Sequence, residues 1–375
     1  MSDMKKIRVL EAIRQGNIGG GETHVLELVS KIDRSVFEPV VLSFTYGPMV
    51  DQLRDHGIDV HVIETERGFD WRVWKRVKQL IKGLDIDIIH AHGTRANSNL
   101  FSPAKQLKLP LIYTVHGWSF HQDQKPVVKL IRKLSERFLT SVSDSVICVS
   151  NSNQADGVKG WNMKRSLVIY NGINTDKFNP DNHYSDIRKE FGIGENKTLI
   201  VYIVRITTQK DPLTLIRAMK IILERTKDVV LLMVGEGDLK EEVVNIVKES
   251  HLEANIILEN FRQDVPAILK AADIYCLPSL WEGLPIGVLE AMSMGKVVVA
   301  THVDGTSEII SEGFNGILFP VKDAGKFAEA ILTVHNDKVL AKRLSENARK
   351  TILERFTVEG MVRDIEKHYK DFLIK

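Results

Sequence analysis

Residues 274–294 read Ile-Tyr-Cys-Leu-Pro-Ser-Leu-Trp-Glu-Gly-Leu-Pro-Ile-Gly-Val-Leu-Glu-Ala-Met-Ser-Met, an apolar run that breaks through a turn into a helical pattern. Residues 274–277 are uninterrupted apolar, as in a parallel strand covered on both faces. The run stops at Pro278 and Ser279, Gly283 and Pro285 make the turn, and a helix is expected from about Ile286 to Met294. Pro285 stands where a missing N–H costs nothing, so the unpaired donors of the first helical turn point back toward the strand's carboxyl end. Glu282 falls in the loop, within reach of a ligand's hydroxyls, and Glu290 about one turn inside the helix, near its positive end.

The same unit recurs along the chain. Apolar runs at 7–10, 39–43, 60–63, 86–90, 111–115, 145–149 and 167–169 alternate with helical patterns, lapse through a polar stretch at 171–182, and resume at 199–204, 229–234, 255–258, 274–277, 297–301 and 316–319. Such alternation predicts an α/β architecture of two doubly wound, Rossmann-like domains. The first is expected over 1–177 and the second over 178–356. An amphipathic helix at 357–375 has no strand after it and must pack on something already formed. In open sheets of this kind, ligands gather at the carboxyl ends of the strands.

A chain of 375 residues suits two domains, and its apolar and charged content is that of a soluble globular protein. The opening residues carry no signal-peptide pattern, and no apolar stretch approaches a membrane span, so a cytoplasmic protein is expected. Cys148 and Cys276 both lie in apolar runs, as buried free thiols do. The first 175 residues hold 24 Lys and Arg against 18 Asp and Glu, the remainder 27 against 31. The basic half hints at an anionic surface or substrate, and nothing in it suggests nucleic acid.

The loops carry the chemistry. Gly16-Asn17-Ile18-Gly19-Gly20-Gly21-Glu22-Thr23 precedes a helix and suits close approach to an anion. A P-loop needs Lys where Glu22 stands, and the dinucleotide fingerprint needs Gly where His24 stands. Kinases, ATPases and nicotinamide enzymes are thereby discounted. Arg205 and Lys210 both follow the 199–204 strand and suit a diphosphate. Gly235-Glu236-Gly237 and Asn260-Phe261-Arg262 follow the next two strands, with Phe261 a candidate to lie against a base. His116, at the exit of 111–115 beside Gly117, is placed for a hydrogen bond to substrate.

Other features point elsewhere. Asp85-Ile86-Asp87 matches a metal-binding Asp-x-Asp pattern but stands at a strand's entrance, so no metal is assigned to it. His90 and His92 flank Ala91 at a strand's exit, a pair of ligands without a third. Two helical stretches, 69–84 and 125–139, are basic and apolar by turns; both suit ordinary surface helices, and a peripheral membrane face is the sharper alternative.

The ordered set Gly20-Gly21-Glu22, Val115-His116-Gly117, Asn171-Gly172-Ile173-Asn174, Arg205 with Lys210, Val234-Gly235-Glu236-Gly237, Glu282 to Glu290 with Ala-Met-Ser-Met-Gly after it, and Gly305-Thr306-Ser307-Glu308 resembles the glycogen-synthase-like retaining glycosyltransferases of the GT-B fold, glycosyltransferase family 4, group 1. The likeness runs from Ile7 to about Phe356. It implies a nucleotide-sugar donor held by the second domain and an acceptor held by the first. By that resemblance Arg205 and Lys210 bind the diphosphate, Glu282 the transferred sugar and Glu290 the ribose. Phe261 and Arg262 match the base-contacting loop, and His116 the residue beneath the reacting sugar. Gly20, Gly21, Gly235, Glu236, Gly283, Leu284, Pro285 and Ile286 complete the donor positions, and Glu22, His92 and His116 form the acceptor side. The final helix is expected to cross back onto the first domain.

Val204, Asp211 and Asp304 each stand where the family commonly has glycine. The implied activity is metal-independent, cofactor-free retaining transfer to a glycan, lipid-linked or small-molecule acceptor in cell-surface polysaccharide or glycolipid synthesis. The location is then cytoplasmic, at the inner face of the cell membrane if the basic helices dock there. Rival readings are a nucleotide-sugar epimerase or hydrolase on the same fold, and a non-catalytic nucleotide-sugar-binding scaffold.

Overall fold

The computed structural model describes residues 5–16, 19–121 and 124–373. Asn17 and Ile18 of the first glycine loop, residues 1–4, 122–123 and 374–375, the last pair within the span expected as a helix, lie outside the described residues. Strands β1 (Ile7–Ile13), β2 (Phe37–Ser43), β3 (Asp59–Val62), β4 (Ile88–His92), β5 (Leu111–Val115), β6 (Ser145–Cys148) and β7 (Ser166–Val168) build one sheet, in the order β3-β2-β1-β4-β5-β6-β7. Strands β8 (Thr198–Ile203), β9 (Val229–Val234), β10 (Ile256–Glu259), β11 (Ile274–Leu277), β12 (Val297–Thr301) and β13 (Ile317–Phe319) build another, in the order β10-β9-β8-β11-β12-β13. Neighbours pair in parallel throughout both sheets. Strand order reverses at β1/β4 in the first and at β8/β11 in the second.

The chain divides into a unit of Met1–Gly172 with Val358–Lys375 and a unit of Ile173–Thr357. The division comes at Gly172 rather than after residue 177, because Ile173 donates its N–H to Phe356 O at 2.8 Å and pairs with Thr357 as a parallel bridge. In the first unit, successive strand residues serve opposite faces. Leu10 and Ala12 meet Val73, Val77 and Ile81 of helix Trp71–Gly83 and Ala96 and Leu100 of helix Thr94–Leu107. Val9, Ile88, Ile112 and Ile147 pack instead with Leu28 of helix Gly20–Lys31 and with Val358, Met361, Val362, Ile365 and Tyr369 of helix Val358–Leu373. The apolar stripe of that last helix thus closes a sheet face that the earlier helices leave open.

One strand starts later than its apolar run suggests. Asp85 takes a left-handed φ of 51°, and Asp87 accepts from the Arg8 N–H at 2.8 Å, so the acidic pair closes the approach loop and β4 begins at Ile88. His92 consequently becomes the strand's last residue. Lys5 holds Asp85 at 2.8 Å, which leaves both carboxylates at the strand entrance. Cys148 and Cys276 are buried free thiols, and burial pushes that of Cys148 up to about 12.

Tyr369 buries its ring in this core and donates its hydroxyl to Glu11 Oε1 at 2.7 Å. Tyr369→Ala is expected to cost about 3–5 kcal/mol and Tyr369→Phe, which only orphans the polar partners, about 1–3 kcal/mol. Urea unfolding followed by circular dichroism checks both; a Tyr369→Ala protein with the parent's midpoint would show that the helix does not brace the sheet.

Candidate active site

The second unit gathers its site at the β8/β11 reversal, where a parallel sheet leaves a crevice. Lys210 ends a short 3-10 turn, Thr208–Lys210, after β8, and Glu282 lies in the loop after β11. Lys210 Nζ and Glu282 Oε1 are 2.5 Å apart, with Glu282 only 8% exposed. Gln209 laces the two loops together: its carbonyl accepts from Leu280 N–H at 2.8 Å and its side-chain amide donates to Trp281 O at 2.8 Å.

Arg205 is held through its neighbours. Val204 N–H donates to Val234 O, Ile206 N–H to Glu236 O and Leu239 N–H to Ile206 O. The fit requires glycine, since a Cβ on Gly235 (φ 146°) would lie 2.0 Å from Val204 O and one on Gly237 2.2 Å from Ile206 O. The Arg205 side chain is left exposed at the strand end. Asp211 has φ 44°, a conformation glycine adopts freely and Asp tolerates, and its carboxylate caps helix Pro212–Arg225 through Thr214. This accounts for a non-glycine residue at that departure from the family pattern.

The Glu282 loop rests on backbone. A Cβ on Gly305 would lie 1.8 Å from Gly283 O. Thr306 donates to Thr301 O at 2.6 Å, and Thr301 donates in turn to Ser279 O at 2.5 Å. Helix Ile286–Ser293 follows, with Leu284 and Pro285 buried at its entrance and Glu290 half-buried on its fifth residue. Asp304 opens helix Asp304–Ile309.

Tyr275 and Ser279 were not apparent in the sequence as site residues. Both hydroxyls are buried without a hydrogen-bond partner among the described residues. Burial, and then the charges of Glu290 and Glu282, push the Tyr275 phenol well up, so it stays a donor. A polar residue inside an apolar strand was the signal for Tyr275; Gln209 offered none.

Phe261 and Arg262 part company. Phe261 is 58% exposed, whereas Arg262 is taken up by Asp264 at 2.6 and 2.8 Å and Glu190 at 2.5 Å. Glu236 is exposed in its glycine turn.

The first unit holds a buried polar chain at the corresponding β1/β4 reversal. Tyr369 donates to Glu11, whose other oxygen lies 2.8 Å from His92 Nε2; His92 Nδ1 lies 3.2 Å from His116 Nε2. His90 sits between Tyr369 (2.5 Å) and Thr114 (2.6 Å), and His24 Nδ1 is 2.9 Å from Asn171 Oδ1. Burial is the largest influence on each ring, holding His24 down to about 3, His92 to about 4 and His116 well below the ordinary imidazole range. The neighbouring histidines keep Glu11 a carboxylate against its own burial. His116 is therefore a neutral imidazole. Gly20 and Gly21 form the first turn of helix Gly20–Lys31, and a Cβ on Gly21 would come 3.4 Å from the His116 ring. Glu22 is buried there, 3.7 Å from Arg14 Nε. A charge directly after the apolar run 7–10, with Ala12 and Ile13 beyond it, was the signal for Glu11; His24 had been read only as breaking a fingerprint.

Two α/β units, each with a crevice at its strand-order reversal, define a GT-B sugar-transferase class. The family description "Glycosyltransferase Family 4" matches residues 18–177 and "Glycosyl transferases group 1" matches 184–351. The chain belongs to this glycosyltransferase family. It is 29% identical, over 100% of its length and 99% of the relative's, to the UDP-Gal:alpha-D-GlcNAc-diphosphoundecaprenol alpha-1,3-galactosyltransferase of Escherichia coli. It is 27% identical to the N,N'-diacetylbacillosaminyl-diphospho-undecaprenol alpha-1,3-N-acetylgalactosaminyltransferase of Campylobacter jejuni, covering 81% of this chain and 83% of that one. Among solved structures, Anabaena HepE in complex with UDP and glucose superposes with a TM-score of 0.86 at 22% identity, covering 97% of this chain and 99% of that one. This last likeness establishes the fold.

Gly305→Ala tests the support of the Glu282 loop. The added methyl meets backbone, so a loss of about 1–3 kcal/mol is expected, read as a lower thermal midpoint; an unchanged midpoint would contradict the close approach to Gly283.

Proposed function

We propose that this enzyme moves a hexose-type sugar, with retention and without a metal or separate cofactor, from a uridine-diphosphate sugar to a polyprenyl-diphosphate-linked sugar in cell-surface glycan assembly. The Lys210–Glu282 pair at the β8/β11 crevice carries the reading. An ammonium has three donors, so Lys210 can keep Glu282 and still hold a diphosphate. A carboxylate only accepts, so Glu282 needs a partner rich in hydroxyls, which a sugar is. Arg205 adds a forked guanidinium on the same strand exit. Together with the N-terminus of helix Ile286–Ser293, these cations balance the charge that grows on the departing nucleotide, the task a divalent ion performs elsewhere.

Glu290 is assigned to the ribose, exposed Phe261 to the base, and the turn Gly283–Ile286 with Gly235 and Glu236 to the rest of the donor. Tyr275, a buried donor without an acceptor among the described residues, joins them. His116 is assigned to the reacting sugar, with Glu22 and His92 on the acceptor side. The printed names of the Escherichia coli and Campylobacter jejuni relatives, both acting on undecaprenol-diphosphate-linked sugars, support this acceptor class, and the UDP held by the Anabaena protein supports the donor class.

Lys210→Ala and Glu282→Ala are each expected to lower kcat/KM for transfer to a short-chain polyprenyl-diphosphate-linked N-acetylglucosamine about 100- to 1,000-fold, scored by mass spectrometry with chelator present throughout. Full transfer by both variants would remove the site assignment. Donor turnover at full rate without acceptor would favour the epimerase or hydrolase, and no turnover by the parent the binding scaffold. Product anomeric configuration, read by NMR, decides retention.

An acceptor anchored in a bilayer calls for a membrane-facing surface. None of the described helices is long and apolar enough to cross a membrane. Helix Pro126–Val142, however, leaves Val127 (69%), Leu130 (58%), Ile131 (61%) and Leu134 (53%) exposed beside Lys129, Arg132, Lys133 and Arg137, while its only acidic residue, Glu136, is buried. Apolar side chains ringed by cations suit the inner, anionic face of the cell membrane. The other basic helix, Trp71–Gly83, buries Val73, Val77 and Ile81 and packs Trp74 against Phe101, as an ordinary surface helix does. Sedimentation with anionic phosphatidylglycerol vesicles should fall when Leu130 and Ile131 are changed to Glu; absence of vesicle binding by the parent at low salt would end the membrane assignment.

A further inference from the structure

The fold brings to His92 the metal partners that its sequence neighbourhood lacks. His24 comes from the helix after β1, His92 from the end of β4 and His116 from the exit of β5. Their ring centroids form a near-equilateral triangle with sides of 5.3, 4.9 and 5.4 Å, and one ligand nitrogen from each lies within 4.8 Å of the others. His92 Nδ1 and His116 Nε2 are 3.2 Å apart. A tetrahedral zinc ion with Zn–N bonds of about 2.0–2.1 Å places its ligand nitrogens roughly 3.3 Å apart.

Two of the three rings already carry their protons as such an ion requires. The Asn171 side-chain oxygen can only accept, so His24 carries its proton on Nδ1, and its Nε2 lone pair is buried without a partner among the described residues. The Glu11 carboxylate likewise puts the His92 proton on Nε2 and turns the Nδ1 lone pair toward His116. His116 Nε2 donates to that lone pair while no ion is bound, and shifting its proton to Nδ1, which is buried and unpartnered among the described residues, would free Nε2 for the ion. Carboxylate or amide oxygen behind imidazole is the outer-shell pattern that orients metal-binding histidines. The neighbouring set Glu11, His90 and His92 suits an ion less well, because Tyr369 and Thr114 occupy both nitrogens of His90 and Tyr369 also holds Glu11.

We propose that His24, His92 and His116 form a site for a divalent transition metal ion, with zinc the best match and a fourth position left for water or a ligand oxygen. Glu11 offsets part of the ion's charge from behind His92, while Arg14, itself 3.7 Å from Glu22, works against it. The ion would occupy His116 Nε2. On the reading of His116 given above, zinc therefore inhibits transfer, and this consequence, unlike the site, rests on that reading.

Cobalt(II) is the probe, added to chelator-treated full-length protein. The parent is expected to take up one equivalent with the strong visible absorption of a tetrahedral ion, discharged by zinc. His24→Gln and His116→Ala should each abolish that spectrum, Glu11→Gln should weaken binding about 10- to 100-fold, and His183→Ala, an exposed histidine elsewhere, should leave it intact. Circular dichroism confirms folding, and half-exposed His116 carries the test if His24→Gln fails to fold. A weak octahedral spectrum, no uptake at micromolar cobalt, or a tetrahedral spectrum that survives both substitutions overturns the site. If cobalt binds as expected but zinc leaves transfer unchanged, the site stands and the assignment of His116 to the sugar falls.

Discussion

A parallel sheet whose strand order reverses in its middle cannot cover the place where it reverses. The two connections leave in opposite directions, and the carboxyl ends between them open onto a crevice. Both units obey this constraint, at β1/β4 and at β8/β11, and nearly every polar residue of interest in either unit follows from it. Lys210 and Glu282 are neighbours because β8 and β11 are neighbours, although 72 residues separate them. Glu11 and His92 meet for the same reason across β1 and β4.

The two crevices treat charge differently. In the second unit an ammonium and a carboxylate face each other with donors and acceptors to spare, an arrangement a ligand can enter without leaving either charge alone. In the first, a fully buried carboxylate is spent on Tyr369 and two histidines, and the imidazoles stay neutral. One site is held ready by opposite charges, the other by proton placement. The glycines serve the first arrangement: Gly235, Gly237 and Gly305 each let one backbone touch another, so the loops bearing Arg205 and Glu282 are set by main chain rather than by side-chain packing.

Much of this was legible in the sequence. The central strands are buried on two faces and so read as apolar runs, the edge strands are partly exposed, and all thirteen runs became strands. The segment 274–294 folded as read because its punctuation, Pro278, Gly283 and Pro285, is local chemistry. The entrance to β4 was misplaced because Ile86 is buried like a strand residue while Asp85 and Asp87 bind backward to Lys5 and Arg8. Arg262 matched a motif, yet its charge goes to Asp264 two residues on and to Glu190, which lies 72 residues earlier. The tri-histidine group was invisible for the same reason: His24, His92 and His116 belong to a helix, the end of one strand and the exit of another, and only the order of strands in the sheet brings them together.

Glu11 accepts from Tyr369 across 358 residues of chain. During synthesis the first sheet therefore emerges with a carboxylate in its middle and an uncovered apolar face, and both wait for helix Val358–Leu373. The second unit is one continuous segment, Ile173–Thr357, that ends directly before that helix begins. The first unit is thus discontinuous in sequence, its sheet closed only by a segment made after the whole of the second unit.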